Sequence, residues 1–294
     1  MIKVKPLLLL VLTGAIFGSS YAVVKSVVGP IGPVGLAVSR TAIASSILAV
    51  LSKVQNTPKL SVPLRRVVFL GILSATLPYS LLSLCAELTN AGTASVINST
   101  VPAFTLILSV LLKRERLTAR SVIGLLIGLA AIALVAEQRQ LQMNGPFWIG
   151  AGAGLIGSAS FAYSGIYAKR FFSQTPAIRI ALSQQIVAFL TLLPLLFLFP
   201  AKGPLSFGLI PNVVILGVIG TALAYIIFFW LLSNVGAITS SYVTYLVPMF
   251  GIFWGWLLLS EPISSMSGIG LLGVLIGLWL LLTPSNAKRV STAS

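Results

Sequence analysis

Residues 91–115 read AGTASVINSTVPAFTLILSVLLKRE, and residues 237–261 read AITSSYVTYLVPMFGIFWGWLLLSE. Set one above the other, Ala94-Ser95 falls on Ser240-Ser241, Pro102 on Pro248 and Glu115 on Glu261. The register extends both ways. Upstream, Tyr79 falls on Tyr225, Phe17-Gly18 on Phe161-Ala162 and Lys25 on Lys169; downstream, Gly124 to Gly128 falls on Gly273 to Gly277 after a short insertion. So many matches in one order, at an offset of about 146 residues, mark an internal repeat.

The copies differ in loop charge. The first runs into Lys113-Arg114-Glu115-Arg116, the second into Leu259-Ser260-Glu261-Pro262-Ile263-Ser264 with no basic residue. Basic loops stay on the cytoplasmic side of a membrane, so equivalent loops are expected on opposite sides. That requires an odd number of spans per copy. Hydropathy supplies five, which predicts units 1–140 and 141–294, the second inverted. Such repeats permit two related conformations with access to opposite sides, the common architecture of secondary transporters.

The membrane reading rests on composition. Of 294 residues 57% are hydrophobic and only 8% charged, against roughly 25% charged in a soluble domain. Too few charges remain for a water-facing surface. Stretches long enough to cross about 30 Å of hydrocarbon are expected near 6–24, 34–52, 67–86, 92–112, 119–136, 147–168, 177–199, 209–232, 238–259 and 266–283. Lys3 and Lys5 before an apolar run ending Ser20-Tyr21-Ala22 resemble a secretory signal. The run's length, and its counterpart in the second half, favour a retained span.

The net charge of +15 does not point to nucleic acid, because the cations sit in short clusters between apolar runs. With the N-terminus inside, fifteen of the nineteen Lys and Arg fall on the cytoplasmic side. Both termini are therefore expected in the cytoplasm.

The chain has no His, no Asp and one Cys. That removes metal clusters, Ser-His-Asp triads and paired carboxylates, and no Gly-x4-Gly-Lys-[Ser/Thr] loop is present for an ATP-driven pump. An enzyme is not expected, nor a cofactor. A channel stays open as the alternative to a carrier.

These residues also carry a family resemblance. Phe17-Gly-Ser-Ser in the first span, Pro33 to Arg40 at the second, the small-residue entry to Pro102, Glu115-Arg-Leu, and Tyr225 through Pro248 to Ser260-Glu261-Pro262 resemble the EamA-type, ten-span branch of the drug/metabolite transporter superfamily. The resemblance covers about Leu7 to Thr283. It implies an all-α protein with a central cavity between the halves, and export of amino acids or similar metabolites across the cell membrane.

Several residues are candidates for that cavity. Pro102 and Pro248 each break a span and free the carbonyl four residues earlier, at Asn98 and Thr244. In lipid a freed carbonyl must find a partner or line a polar space. Asn98, Ser99, Thr244 and Tyr245 surround these breaks; Tyr79, Tyr225 and Tyr163 lie near mid-span. Arg40 lies about 9 Å into the second span at 1.5 Å per residue, with Glu87 and Lys25 near the same membrane face. A charge at that depth is paired, snorkels outward or serves function. Two readings follow: a structural Arg40–Glu87 ion pair, or Arg40 binding a substrate carboxylate with Glu87 carrying a proton. Gln184, at the position equivalent to Arg40, is uncharged.

Glu115 and Glu261 precede helices, where a carboxylate offsets the positive helix end, and are read as structural. Gly124/Gly128 and Gly273/Gly277 permit close helix approach, within the chain or in a homodimer. The expected partners are a small-molecule substrate and the lipid bilayer.

Overall fold

The computed structural model describes residues 4–89, 91–112, 118–136, 145–201, 203, 206–259, 269, 272–273, 275–277 and 279–280. Regular structure among them is entirely helical. The elements are α1 (Val4–Val54), α2 (Leu64–Leu88), α3 (Ala91–Asn98), α4 (Val101–Leu111), α5 (Ala119–Ala136), α6 (Gly145–Phe171), α7 (Ala177–Leu198), α8 (Phe207–Val235), α9 (Ala237–Ser241) and α10 (Val243–Leu259). Six helical stretches are long and apolar enough to cross a membrane, and Ala119–Ala131 is a shorter apolar one.

That differs from ten separate spans for identifiable reasons. The first two expected spans are one element, α1, interrupted at Gly32, whose φ of 72° and ψ of 166° are non-helical. Only glycine adopts that backbone at little cost, and Pro33 follows without an N–H to continue the ladder. The two arms fold back together. Ser20 in the first arm lies against Gly220, and Arg40 in the second donates to the Gly220 carbonyl and to Thr221. The fourth expected span is split into α3 and α4 at Ser99–Thr100, and the ninth into α9 and α10 at Tyr242. The tenth, 266–283, falls largely outside the described residues, as do Glu115, Glu137 and Glu261.

Two π-helical turns interrupt α2 and α8, at Ile72–Thr76 and Val218–Leu223. Their starts are 146 residues apart, the offset of the sequence repeat. A π turn misaligns the i→i−4 ladder and leaves carbonyls for other donors. Here the Ser74 carbonyl accepts from the Tyr225 hydroxyl (3.5 Å) and its equivalent at Gly220 accepts from Arg40 Nη2 (3.4 Å). The Leu73 carbonyl takes the Ser160 hydroxyl at 2.8 Å.

Other contacts recur at nearly the same offset. A Cβ added at Gly71 would stand 2.5 Å from Val187 Cβ; one added at Gly217 would stand 2.6 Å from Ile43 Cγ2. Ser74 donates to Gln184 Oε1 at 2.6 Å, where the second half has Arg40 Nε donating to Thr221 Oγ1 at 3.0 Å. Lys25 Nζ donates to the Ala86 carbonyl (2.9 Å) at the end of α2, and Lys169 Nζ to the Ser233 carbonyl (2.6 Å) at the end of α8. Both lysines sit where a cation offsets the negative end of a helix.

The main core cluster runs through α1, α2, α6, α7 and α8, with Phe161, Phe172, Phe228, Phe229 and Leu232 buried in it. The expected close approach of small residues occurs inside the chain: a Cβ at Gly277 would meet the Gly124 carbonyl at 2.8 Å.

Candidate functional site

Two aromatic pairs related by the repeat meet near the centre of the molecule. Tyr79 and Tyr225 cross edge to face with ring centroids 5.9 Å apart; Phe17 and Phe161 contact Tyr225 at 5.6 and 6.2 Å. Each tyrosine lies within three residues of the end of a π turn, and the two rings meet. The Tyr79 hydroxyl accepts a hydrogen bond from Gln185 Nε2 at 2.9 Å.

A cavity lies against this cluster. Its lining is Phe17, Ser20, Tyr21, Val24, Arg40, Pro78, Tyr79, Leu82, Ser83, Asn98, Phe161, Tyr225 and Thr244. It takes in about 590 Å³ of space between atoms, its open mouth included. From the aromatic cluster the lining runs along α1 and α2 toward the Lys25–Ala86 contact. Phe228, Phe229 and Leu232, in the same core cluster as Tyr225, are each 3% exposed or less.

Among the described residues that line the cavity, Arg40 supplies the charge. It is 7% exposed. Its guanidinium carbon stands 4.1 Å from the Tyr79 ring centroid, an attraction worth about 2 kcal/mol or more when desolvated. Nε and Nη2 reach Thr221 and Gly220. These neutral partners hold the cation in place without cancelling it, and among the described residues no carboxylate pairs with it. The expected Arg40–Glu87 ion pair is therefore not formed. Glu87 is half-buried near the end of α2 and outside the cavity lining.

Of the residues expected around the cavity, Arg40, Tyr79, Asn98, Tyr225 and Thr244 line it, and three do not. Tyr163 packs on Phe69 and Tyr167, each at 6.4 Å. It follows Phe161 by two residues, about 200° around a helix, so it faces away when Phe161 faces in. Tyr245 is fully buried, stacked on Tyr242 and against Gly128. Ser99 is buried with its hydroxyl bonded to the Ser95 carbonyl at 2.8 Å. Pro102 lies in the first turn of α4, just after the break, whereas Pro248 lies inside α10 and the break is upstream at Tyr242.

The sequence reading missed Gln185 and Ser83. Adjacent amides at Gln184-Gln185 in an apolar span were a usable signal, because an unsatisfied buried amide costs about 1–3 kcal/mol.

The model of the EamA-like transporter family matches residues 4–136 and 148–283. An uncharacterised transporter of Archaeoglobus fulgidus is 26% identical over 281 residues, covering 94% of this chain and 98% of that protein. One of Bacillus subtilis is 22% identical over 206 residues, covering 69% and 70%. A solved structure described only as a crystal structure of a protein superposes with a TM-score of 0.78 at 17% identity, over 93% of this chain and 95% of that one, which establishes the fold. The chain belongs to the EamA-like transporter family, and it is an integral membrane transporter of small solutes rather than an enzyme.

Proposed function

We propose that the protein is a secondary transporter of amino acids or similar small metabolites, an exporter of the cell membrane that works by alternating access. Ten spans form two inverted five-helix units, 1–140 and 141–294, with both termini cytoplasmic. The substrate binds among Arg40, Tyr79, Asn98, Tyr225 and Thr244, and the breaks near Pro102 and Pro248 let the surrounding helices move. Alternating access needs a site between two halves that make equivalent contacts in exchanged positions. The observation that carries the reading is the recurrence of π turn, tyrosine, tight glycine and capping lysine in both halves, with Tyr79 and Tyr225 lining one cavity.

Counterflow in proteoliposomes tests it. Vesicles loaded with an unlabelled amino-acid or organic-acid mixture should transiently accumulate labelled substrate, with a saturable rate. A flux that rises linearly with concentration and shows no counterflow would instead mean a channel.

A further inference from the structure

A cation buried in a membrane protein normally has an anion beside it, because a charge in a low-dielectric site is costly unless compensated. Arg40 has a hydroxyl, a carbonyl and a ring face. A guanidinium carries five N–H donors, and the two contacts with Thr221 and Gly220 leave others on a side chain that lines the cavity. Among the described residues the remaining lining is aromatic, aliphatic or hydroxyl- and amide-bearing, with no carboxylate.

We infer that the cavity is selective for organic monoanions: a small carboxylate with an apolar or aromatic body, its carboxylate on Arg40 and its body among Phe17, Phe161 and Tyr225. The inference rests on the transporter reading and, within its small metabolites, ranks carboxylates without an ammonium ahead of zwitterionic amino acids. Charge decides the order. A monoanion brings the occupied site to neutrality. A zwitterion leaves one positive charge, and its ammonium finds no carboxylate in the lining. A cation places two like charges within one small cavity. Tyr79, the aromatic face nearest Arg40, already carries the guanidinium and is not free to receive an ammonium. The charged, planar donor set of arginine matches a carboxylate in a two-bond geometry that a lysine does not reproduce.

The test uses three probes with one apolar body: phenylpyruvate, phenylalanine and phenethylamine, carrying charges of about −1, 0 and +1 at neutral pH. Each is measured by counterflow in proteoliposomes of the full chain. Phenylpyruvate should half-saturate at least about tenfold below phenylalanine, a difference of about 1.4 kcal/mol, and phenethylamine should not be carried. Arg40→Gln should remove the preference between the first two probes, and Arg40→Lys should keep the order at weaker affinity. Because the order is read on the unmodified protein, it stands even if a variant fails to fold. Phenylalanine or phenethylamine carried as well as phenylpyruvate overturns the inference. So does the absence of counterflow with all three. Saturable counterflow of a different, non-anionic solute in the same vesicles would then show that the transporter reading survives while the charge selectivity does not.

Discussion

Arg40 of α1 sits over the ring of Tyr79 of α2, 4.1 Å from guanidinium carbon to ring centroid, and the hydroxyl of that ring is held by Gln185 of α7. Three helices thus fix one cation at the cavity wall. A ring without its hydroxyl keeps the attraction but loses a hydrogen bond worth about 0.5–1.5 kcal/mol; an aliphatic side chain loses both. Tyr79→Phe should raise the half-saturation constant roughly threefold and Tyr79→Leu by about tenfold or more, read in the counterflow assay. Tyr163→Phe should leave it unchanged, since that ring lies against Phe69 and Tyr167.

Gly71 packs on Val187 with no room for a methyl group. Gly71→Ala should destabilise the protein by about 1–3 kcal/mol, the usual cost of overpacking. Val187→Ala in the same chain should recover most of that loss. Thermal unfolding in detergent measures both, and the second half offers an internal replicate in Gly217→Ala with Ile43→Ala.

Orientation is checked by labelling. In a Cys85→Ser background, which removes the chain's single thiol, a cysteine at Ser264 should react with an impermeant reagent in intact cells, and one at Thr118 should not. The reverse pattern would overturn the inverted arrangement.

The carboxylate among the described residues is Glu87, half-buried on the helix that carries Tyr79 and Ser83. We expect Glu87→Gln to abolish pH-driven accumulation while exchange at equal substrate concentrations continues. A mutant that still accumulates substrate from a pH gradient would make Glu87 structural and the protein a facilitated carrier.

Much of this architecture was legible in the residues. Repeat register paired Tyr79 with Tyr225, and depth singled out Arg40. Direction was harder. In a soluble helix the polar face marks what points outward, but lipid is as apolar as a core, so hydropathy does not separate Tyr163 from Phe161. The π turns carry no signature either. Ile72-Leu-Ser-Ala-Thr76 reads as an ordinary apolar helix, and the extra residue in the turn shows only in what its carbonyls accept. The fold-back at Gly32 was obscured for another reason: helix continues on both sides, and one glycine among several gives no warning of a positive φ.

Arg40 and Gln184 occupy equivalent places, yet one is a cation gripping Gly220 and Thr221 and the other a neutral amide gripping Ser74. If the halves exchange roles during a transport cycle, the exchanged state is not a mirror of this one. A charged contact is made or broken in one direction and an uncharged contact in the other. At this position the two copies of the repeat differ in charge. The two faces of the membrane should therefore present unequal half-saturation constants for the same solute, and an empty carrier should rest unevenly between them.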